Sequence, residues 1–198
     1  MTDKNEMHQK RQQRLKEAVD ERISKANEQR GILIVNTGNG KGKTTAAFGT
    51  LTRALGHNKK GGVVQFIKGL WENGEKNLLE PLGVEFHVMA TGFTWETQDK
   101  ASDTLACQEV WRKAKQMLAN SQLDLVILDE ITYMITYGYL DLEELLIALK
   151  NRPNHQTVII TGRACHRDII ELADTVTEMR PIKHAFDAGI KAQKGIDW

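Results

Sequence analysis

Residues 37–45 read Thr-Gly-Asn-Gly-Lys-Gly-Lys-Thr-Thr, a run of small, basic and hydroxyl side chains suited to holding phosphate. Glycines at 38, 40 and 42 let backbone N–H groups turn inward around phosphate oxygens. Lys43 adds a full positive charge, and the Thr44 hydroxyl is placed to bind magnesium. The run follows the apolar residues Ile32, Leu33, Ile34 and Val35, and a helix opening near Thr44 points its positive end at the same place. One position departs from the usual spacing. Five residues before Gly42 stands Thr37, and the glycine comes one residue later, at Gly38, with an extra Lys41 in the turn. This is a variant phosphate loop and not a glycine-rich linker, because Gly42-Lys43-Thr44-Thr45 lies between a strand pattern and a helix pattern.

A second group of residues belongs with the loop. The run Leu123-Asp124-Leu125-Val126-Ile127-Leu128-Asp129-Glu130 is an apolar strand that ends in two acids. In phosphate-loop proteins an acid at this strand end holds magnesium, directly or through water. Whether Asp129 or Glu130 does so here stays open, and a second acid that orients water would suit a hydrolase. Val158-Ile159-Ile160-Thr161-Gly162-Arg163 is another strand that ends on the binding side. Arg163 and Arg167 are spaced to clamp phosphates; the alternative is two surface arginines. Cys165 and His166, between them, suit a helix cap or core contact better than catalysis.

Residues 89–99 contain Phe93 and Trp95 among small and polar neighbours. They either fold into the core or offer an aromatic surface to a large flat ligand. Lys68 ends the second strand near the site, and the late segment Pro181–Gly189, with Lys183, His184 and Phe186, either closes over a ligand or is structural. The chain has no serine or cysteine nucleophile motif, no zinc spacing, and no general base outside the acidic strand end. Chemistry that needs positioning and charge stabilisation fits better than proton transfer.

The elements that must position these residues are legible in the same way. Candidate strands are 32–36, 62–67, 84–88, 125–128, 158–161 and 175–179; candidate helices are 44–55, 77–82, 104–119, 142–150 and 167–172. Their alternation implies an α/β fold, a parallel sheet of about six strands with helices on both faces. The loops after 36, 67, 88, 128 and 161 then gather at the carboxyl ends of the strands, where ligands bind. Residues 1–30 are charged with both signs and carry a narrow apolar stripe of Leu15, Ala18, Val19, Ile23 and Ala26. They form a helical extension, either solvated or docking on a partner or ligand, ahead of a domain over 31–198. A chain of 198 residues and 22.4 kDa suits one such domain. Net charge of +1 gives no reason to expect nucleic acid or anionic lipid. Two cysteines without metal spacing suit a reducing cytoplasm. The polar N-terminus and the lack of a long apolar run argue against export and membrane insertion.

The segments 37–49, 63–69, 90–95 (Ala-Thr-Gly-Phe-Thr-Trp), 128–130 (Leu-Asp-Glu), 161–163 (Thr-Gly-Arg) and 183–189 (Lys-His-Ala-Phe-Asp-Ala-Gly) together resemble the ATP:corrinoid adenosyltransferases of the CobA/BtuR type. The resemblance runs from about residue 31 to the end, no motif residue of that family is missing, and the charged N-terminal helix is similar too. It implies a RecA-like P-loop fold and transfer of the 5′-deoxyadenosyl group of ATP to the cobalt(I) of a reduced corrinoid, with triphosphate as leaving group. It also implies Mg2+ or Mn2+, a flavodoxin-type reductant and a homodimer. Gly38, Asn39, Gly40, Lys41, Gly42, Lys43, Thr44 and Thr45 would hold triphosphate in an orientation opposite to the usual one. Thr44 with Asp129 or Glu130 would hold the metal, and Arg163 and His184 would lie on the nucleotide side. Phe93 and Trp95 would stand beside the corrin and disfavour its lower axial ligand, and residues 1–30 would cover the corrinoid or serve the dimer. The competing readings are a small-molecule kinase using Arg163 and Arg167, a RecA-like ATPase in which Glu130 activates water, and a nucleotide sensor that consumes nothing.

Overall fold

The computed structural model describes residues 2–67, 72–89 and 100–197. The chain divides into Met1–Arg30 and Gly31–Trp198. The first unit is one helix, α1 (Thr2–Lys25). Its apolar positions Leu15, Val19 and Ile23 are exposed, and spacings of four residues join Gln13 to Glu17 and Lys25 to Glu21.

The second unit is built on a six-stranded sheet: β1 (Leu33–Thr37), β2 (Gly61–Gln65), β3 (Glu85–Val88), β4 (Leu125–Asp129), β5 (Thr157–Thr161) and β6 (Thr175–Glu178). The spatial order is β3-β2-β4-β5-β1-β6, and every neighbouring pair is parallel. β5 therefore lies between the strand that leads into the loop and the strand that ends in acids, the RecA-like arrangement. Alternate residues along the strands face opposite layers. Val35, Val64, Val126, Leu128, Val158 and Ile160 join one core with Trp111, Met134 and Leu145, while Val63, Leu125, Ile127 and Ile159 join a smaller core with Ala47, Phe48 and Leu51. The four central strands are apolar because both their faces are covered. β6, at the edge, is exposed throughout.

The helices are α2 (Lys43–Gly56), α3 (Gly74–Leu79), α4 (Lys100–Leu118), α5 (Ile131–Thr136), α6 (Leu142–Lys150) and α7 (Arg167–Leu172). α2 buries Lys43, Ala47, Phe48 and Leu51, one face at helical spacing. The side chain of Asp141 caps α6 by accepting from the Glu144 N–H at 3.0 Å, and two glutamates in the first turn and Lys150 in the last suit the helix dipole.

Two expectations need correction. The helix expected over 77–82 is α3, which begins at Gly74, with a 3₁₀ turn over Glu80–Leu82 at Pro81. Pro81 lacks the N–H that an α-helix would use there. α5 was not expected, because Ile131, Thr132 and Thr136 are β-branched and favour strands. Burial of Ile131, Thr132 and Met134 overrides that preference.

Candidate active site

β1 extends through Thr37, which pairs with Glu178 of β6 and accepts the Met179 N–H at 2.8 Å. The turn therefore opens one residue late, at Gly38, which explains the displaced glycine. Gly38 has φ +97°, and a Cβ there would meet the Met179 carbonyl oxygen at 2.4 Å. A Cβ on Gly40 would meet Arg180 backbone at 2.8 Å, and the Gly40 N–H donates to the Met179 carbonyl at 2.7 Å. Gly42, with φ +104°, caps α2. The loop is thus pressed against the chain leaving β6, and only glycine fits at 38 and 40.

Lys43 is the first residue of α2 and only 6 % exposed. Its Nζ donates to the Gly40 carbonyl at 2.9 Å, and its own carbonyl accepts from Asn36 Nδ2 at 3.3 Å. Burial lowers the Lys43 pKa below its ordinary value; the Arg163 charge acts in the same direction, and the carboxylates of Glu130 and Asp129 oppose it.

Asp129 is 1 % exposed at the end of β4. Its Oδ1 accepts hydroxyl hydrogen bonds from Thr44 at 2.9 Å and Thr161 at 2.7 Å, and its Oδ2 accepts from Gln65 Nε2 at 3.0 Å. Thr161 reaches Asp129 because β5 lies beside β4, and its Oγ1 also accepts the Glu130 N–H at 2.9 Å. Glu130 itself takes a left-handed conformation, φ +59°, as α5 begins. The Thr44 hydroxyl and the Asp129 carboxylate are hard oxygens side by side beneath the loop, the donor chemistry that Mg2+ or Mn2+ prefers.

The remaining expected residues divide by position. Arg163 lies close enough to Lys43 and Tyr133 to act on both electrostatically, and its carbonyl is held by Thr132 Oγ1 at 2.7 Å. A Cβ on the intervening Gly162 would strike that hydroxyl oxygen at 1.9 Å. Arg167 is apart from this group, paired with Glu171 at 2.6 Å on its own helix. Lys41 is exposed and ion-paired with Asp197, whose carboxyl is held below its ordinary pKa first by that hydrogen bond, then by the Gln193 N–H, with the charges of Lys41 and His184 assisting. Asn39 and Thr45 are exposed beside them. Thr44, Thr45, Gly74, Glu75, Leu78 and Ile196 line an open cavity of about 350 Å³ next to the loop. Cys107 and Cys165 form no disulfide, and burial pushes their thiols up to about 12 and about 11. Lys68, Phe93 and Trp95 lie outside the described residues.

Sequence reasoning missed Thr161 as a partner of Asp129, and Gln65 and Asn73 beyond it. A signal was present. Each central strand is apolar in its middle yet carries a buried polar residue at or next to its carboxyl end: Asn36, Gln65, Asp129 and Thr161. Asn36 is level with Thr161, and Gln65 with Asp129, so the four form a polar row at the carboxyl ends. Among the described residues there is no group of three or more histidines, cysteines or acids that could hold a metal, and no helix long and apolar enough to cross a membrane.

Comparison with known proteins bears on the same site. Residues 29–198 match the family described as ATP:corrinoid adenosyltransferase BtuR/CobO/CobP, and residues 1–23 match the Cob(I)alamin adenosyltransferase N-terminal family. The corrinoid adenosyltransferase of Escherichia coli K12 is 71 % identical over 194 residues, covering 98 % of this chain and 99 % of that protein. The corrinoid adenosyltransferase CobA of Salmonella typhimurium is 68 % identical with the same coverage, and that of Pseudomonas aeruginosa is 48 % identical over 198 residues, covering 99 % of this chain and 98 % of the relative. With its loop, its acidic strand end and the whole of its second unit spanned by the match, the chain belongs to the ATP:corrinoid adenosyltransferase family.

Proposed function

We infer that this protein transfers the 5′-deoxyadenosyl group of ATP to the cobalt(I) of a corrinoid and releases triphosphate, in cobalamin synthesis or salvage. The observation that carries the reading is the Thr44–Asp129 contact at 2.9 Å beneath a buried Lys43, in a chain of this family. Cobalt(I) in the substrate is already a strong nucleophile. Its electron pair forms the bond to the 5′-carbon, and the bonding pair of the carbon–oxygen bond leaves with triphosphate. No proton transfer is needed, in keeping with a site that offers charge and positioning.

Negative charge grows on the leaving triphosphate, so groups aimed at it lower the barrier. Gly38, Asn39, Gly40, Lys41, Gly42, Lys43, Thr44 and Thr45 are the triphosphate holders in this reading. Lys43 supplies a charge that burial leaves poorly hydrated and therefore strongly attracted to an anion. Thr44 would hold Mg2+ or Mn2+ with Asp129, and of the two acids we favour Asp129 because it shares a hydrogen bond with Thr44. The bound cation would supply charge neutralisation of the phosphate oxygens. Arg163 lies on the Lys43 side and His184 near Asp197, which suits both to the nucleotide side. Phe93 and Trp95 are proposed as the corrinoid surface from sequence. Residues 1–30 are proposed to cover the corrinoid or serve a homodimer, supported by the match of residues 1–23 to a cob(I)alamin adenosyltransferase N-terminal family. A flavodoxin-type reductant and a cytoplasmic location complete the proposal.

The test is anaerobic incubation with Mg2+, ATP and chemically reduced cobalamin, following the visible spectrum and phosphate products together. Loss of the cobalt(I) band, a light-sensitive cobalt–carbon product and one triphosphate per turnover are expected. An unchanged corrinoid spectrum with ADP accumulating would replace this reading by the kinase or ATPase.

A further inference from the structure

Two members of the polar row bond directly to the loop and its helix: Asn36 holds the Lys43 carbonyl and Asp129 accepts from Thr44, while Thr161 reaches the loop only through Asp129. The fourth, Gln65, has no side-chain hydrogen bond to the loop among those described and does not line the cavity, yet it is fully buried. A buried amide is retained only where its hydrogen bonds are satisfied. Gln65 Nε2 donates to Asp129 Oδ2 at 3.0 Å, and Gln65 Oε1 accepts from Asn73 Nδ2 at 2.7 Å. Asn73 Oδ1 in turn accepts the Lys76 N–H at 3.3 Å and so caps α3.

The orientation of each amide follows from the next. The Lys76 N–H can only donate, so the Asn73 oxygen must face it and the Asn73 amino group must face Gln65. The Gln65 oxygen then faces Asn73, and its amino group faces Asp129. The consequence at Asp129 is specific. Both hydroxyl donors, Thr44 and Thr161, sit on Oδ1; among the bonds described, Gln65 alone engages Oδ2. Two donors on one oxygen leave the carboxylate plane able to turn, and a donor on the second oxygen pins it.

We propose that Gln65, oriented by Asn73, is a positioning residue that fixes the Asp129 carboxylate for the metal–triphosphate complex. This rests on the reading of Asp129 as the metal-side acid. The relay also joins Asp129 to α3, whose Gly74, Glu75 and Leu78 line the cavity opposite Thr44 and Thr45. The metal carboxylate and one wall of the nucleotide cavity are therefore set by a single chain of hydrogen bonds.

Two variants of the full-length protein separate positioning from folding. Gln65→Met keeps the volume and removes both hydrogen bonds. Asn73→Asp keeps the α3 cap, since aspartate caps as well as asparagine, but turns the donor that faces Gln65 into an acceptor. Gln65 must then swing its amino group to residue 73 and its oxygen toward Asp129, which abolishes the donation to Oδ2. The readout is Mn2+ binding in the presence of ATP, from the electron paramagnetic resonance signal of free Mn2+, beside binding of a fluorescent ATP analogue without metal and thermal unfolding. Both variants are expected to weaken Mn2+ binding roughly 10- to 100-fold, as loss of outer-shell partners does, with metal-free nucleotide binding changed less than about twofold. A parallel loss of metal-free binding, or Mn2+ affinity unchanged in Asn73→Asp, would overturn the inference. Asp129→Asn distinguishes the two levels. If it loses Mn2+ affinity while the relay variants keep it, only the relay falls; if it too keeps it, the metal role of Asp129 falls, and the relay with it.

Discussion

The phosphate loop has two walls of different construction. Toward the sheet, Lys43, Asn36, Asp129, Thr161 and Gln65 are buried and joined by hydrogen bonds of 2.7–3.3 Å. Toward the chain end, the loop meets the backbone of Met179–Arg180, and Lys41 pairs with Asp197 on an exposed segment that Lys194 ties to Glu72 at 2.6 Å. The first wall is rigid because displacing any member strands a buried polar group. The second has little packed against its side chains, and its ion pairs lie in water, where they are weak. Two lysines two residues apart therefore differ in kind: Lys43 is built into the buried wall, and Lys41 already has a partner, Asp197, that any phosphate would have to displace.

The difference between the walls can be pressed hardest at Lys43. Lys43→Ala is expected to weaken tripolyphosphate binding by about 100-fold or more, since it removes a desolvated charge-assisted contact. Calorimetric titration beside Lys41→Ala checks it, and equal losses would erase the distinction.

Next in size is Gly38→Ala. Its φ of +97° and the Met179 oxygen at 2.4 Å predict a loss of about 2–3 kcal/mol in urea unfolding without any nucleotide. A cost below about 0.5 kcal/mol would show that the outer wall yields as freely as its exposure suggests.

Lys43 also gives a pH signature. Its native pKa is lowered from 10.5, and triphosphate favours the charged amine, so affinity should fall as pH rises through the native pKa, below 10.5. Over the same interval the unfolded state holds more protons than the native state, so stability of the ligand-free protein should rise. Titrations at stepped pH with Lys43→Arg as control test this; a fall that survives in Lys43→Arg would assign it to another group.

The smallest effect is on the outer wall. Asp197→Asn releases Lys41, and tripolyphosphate binding should tighten about two- to fivefold at low salt, with the gain vanishing at high salt. Weaker binding would mean that the pair organises the loop.

Much of this arrangement was legible in the residues. Six strands could be marked because apolar runs alternate with helical periods, and the loop and Asp129 stood at strand ends where ligands gather. α5 was hidden because five of its six residues carry strand-forming side chains and become helical as Ile131 and Met134 are buried. Gln65 and Asn73 were hidden for another reason. Asn73 lies only eight residues from Gln65 but belongs to the cap of α3, and no local pattern announces a hydrogen bond between Gln65 and Asp129, 64 residues apart. What was visible was the anomaly of a glutamine closing an apolar strand. Arg167 shows the opposite failure: spacing alone made it a partner of Arg163, and a nearer acid, Glu171, took it.

The glycines at 38 and 40 carry a consequence for descent. They are demanded by the backbone of residues 179 and 180 as well as by any phosphate. A relative that had lost all use for nucleotide would still be held to them by folding alone, whereas Lys43, Thr44 and Asp129 would be released to drift. Glycine spacing of this kind is thus a mark of architecture, and under the proposed function it is the lysine, threonine and aspartate together that would mark a working site.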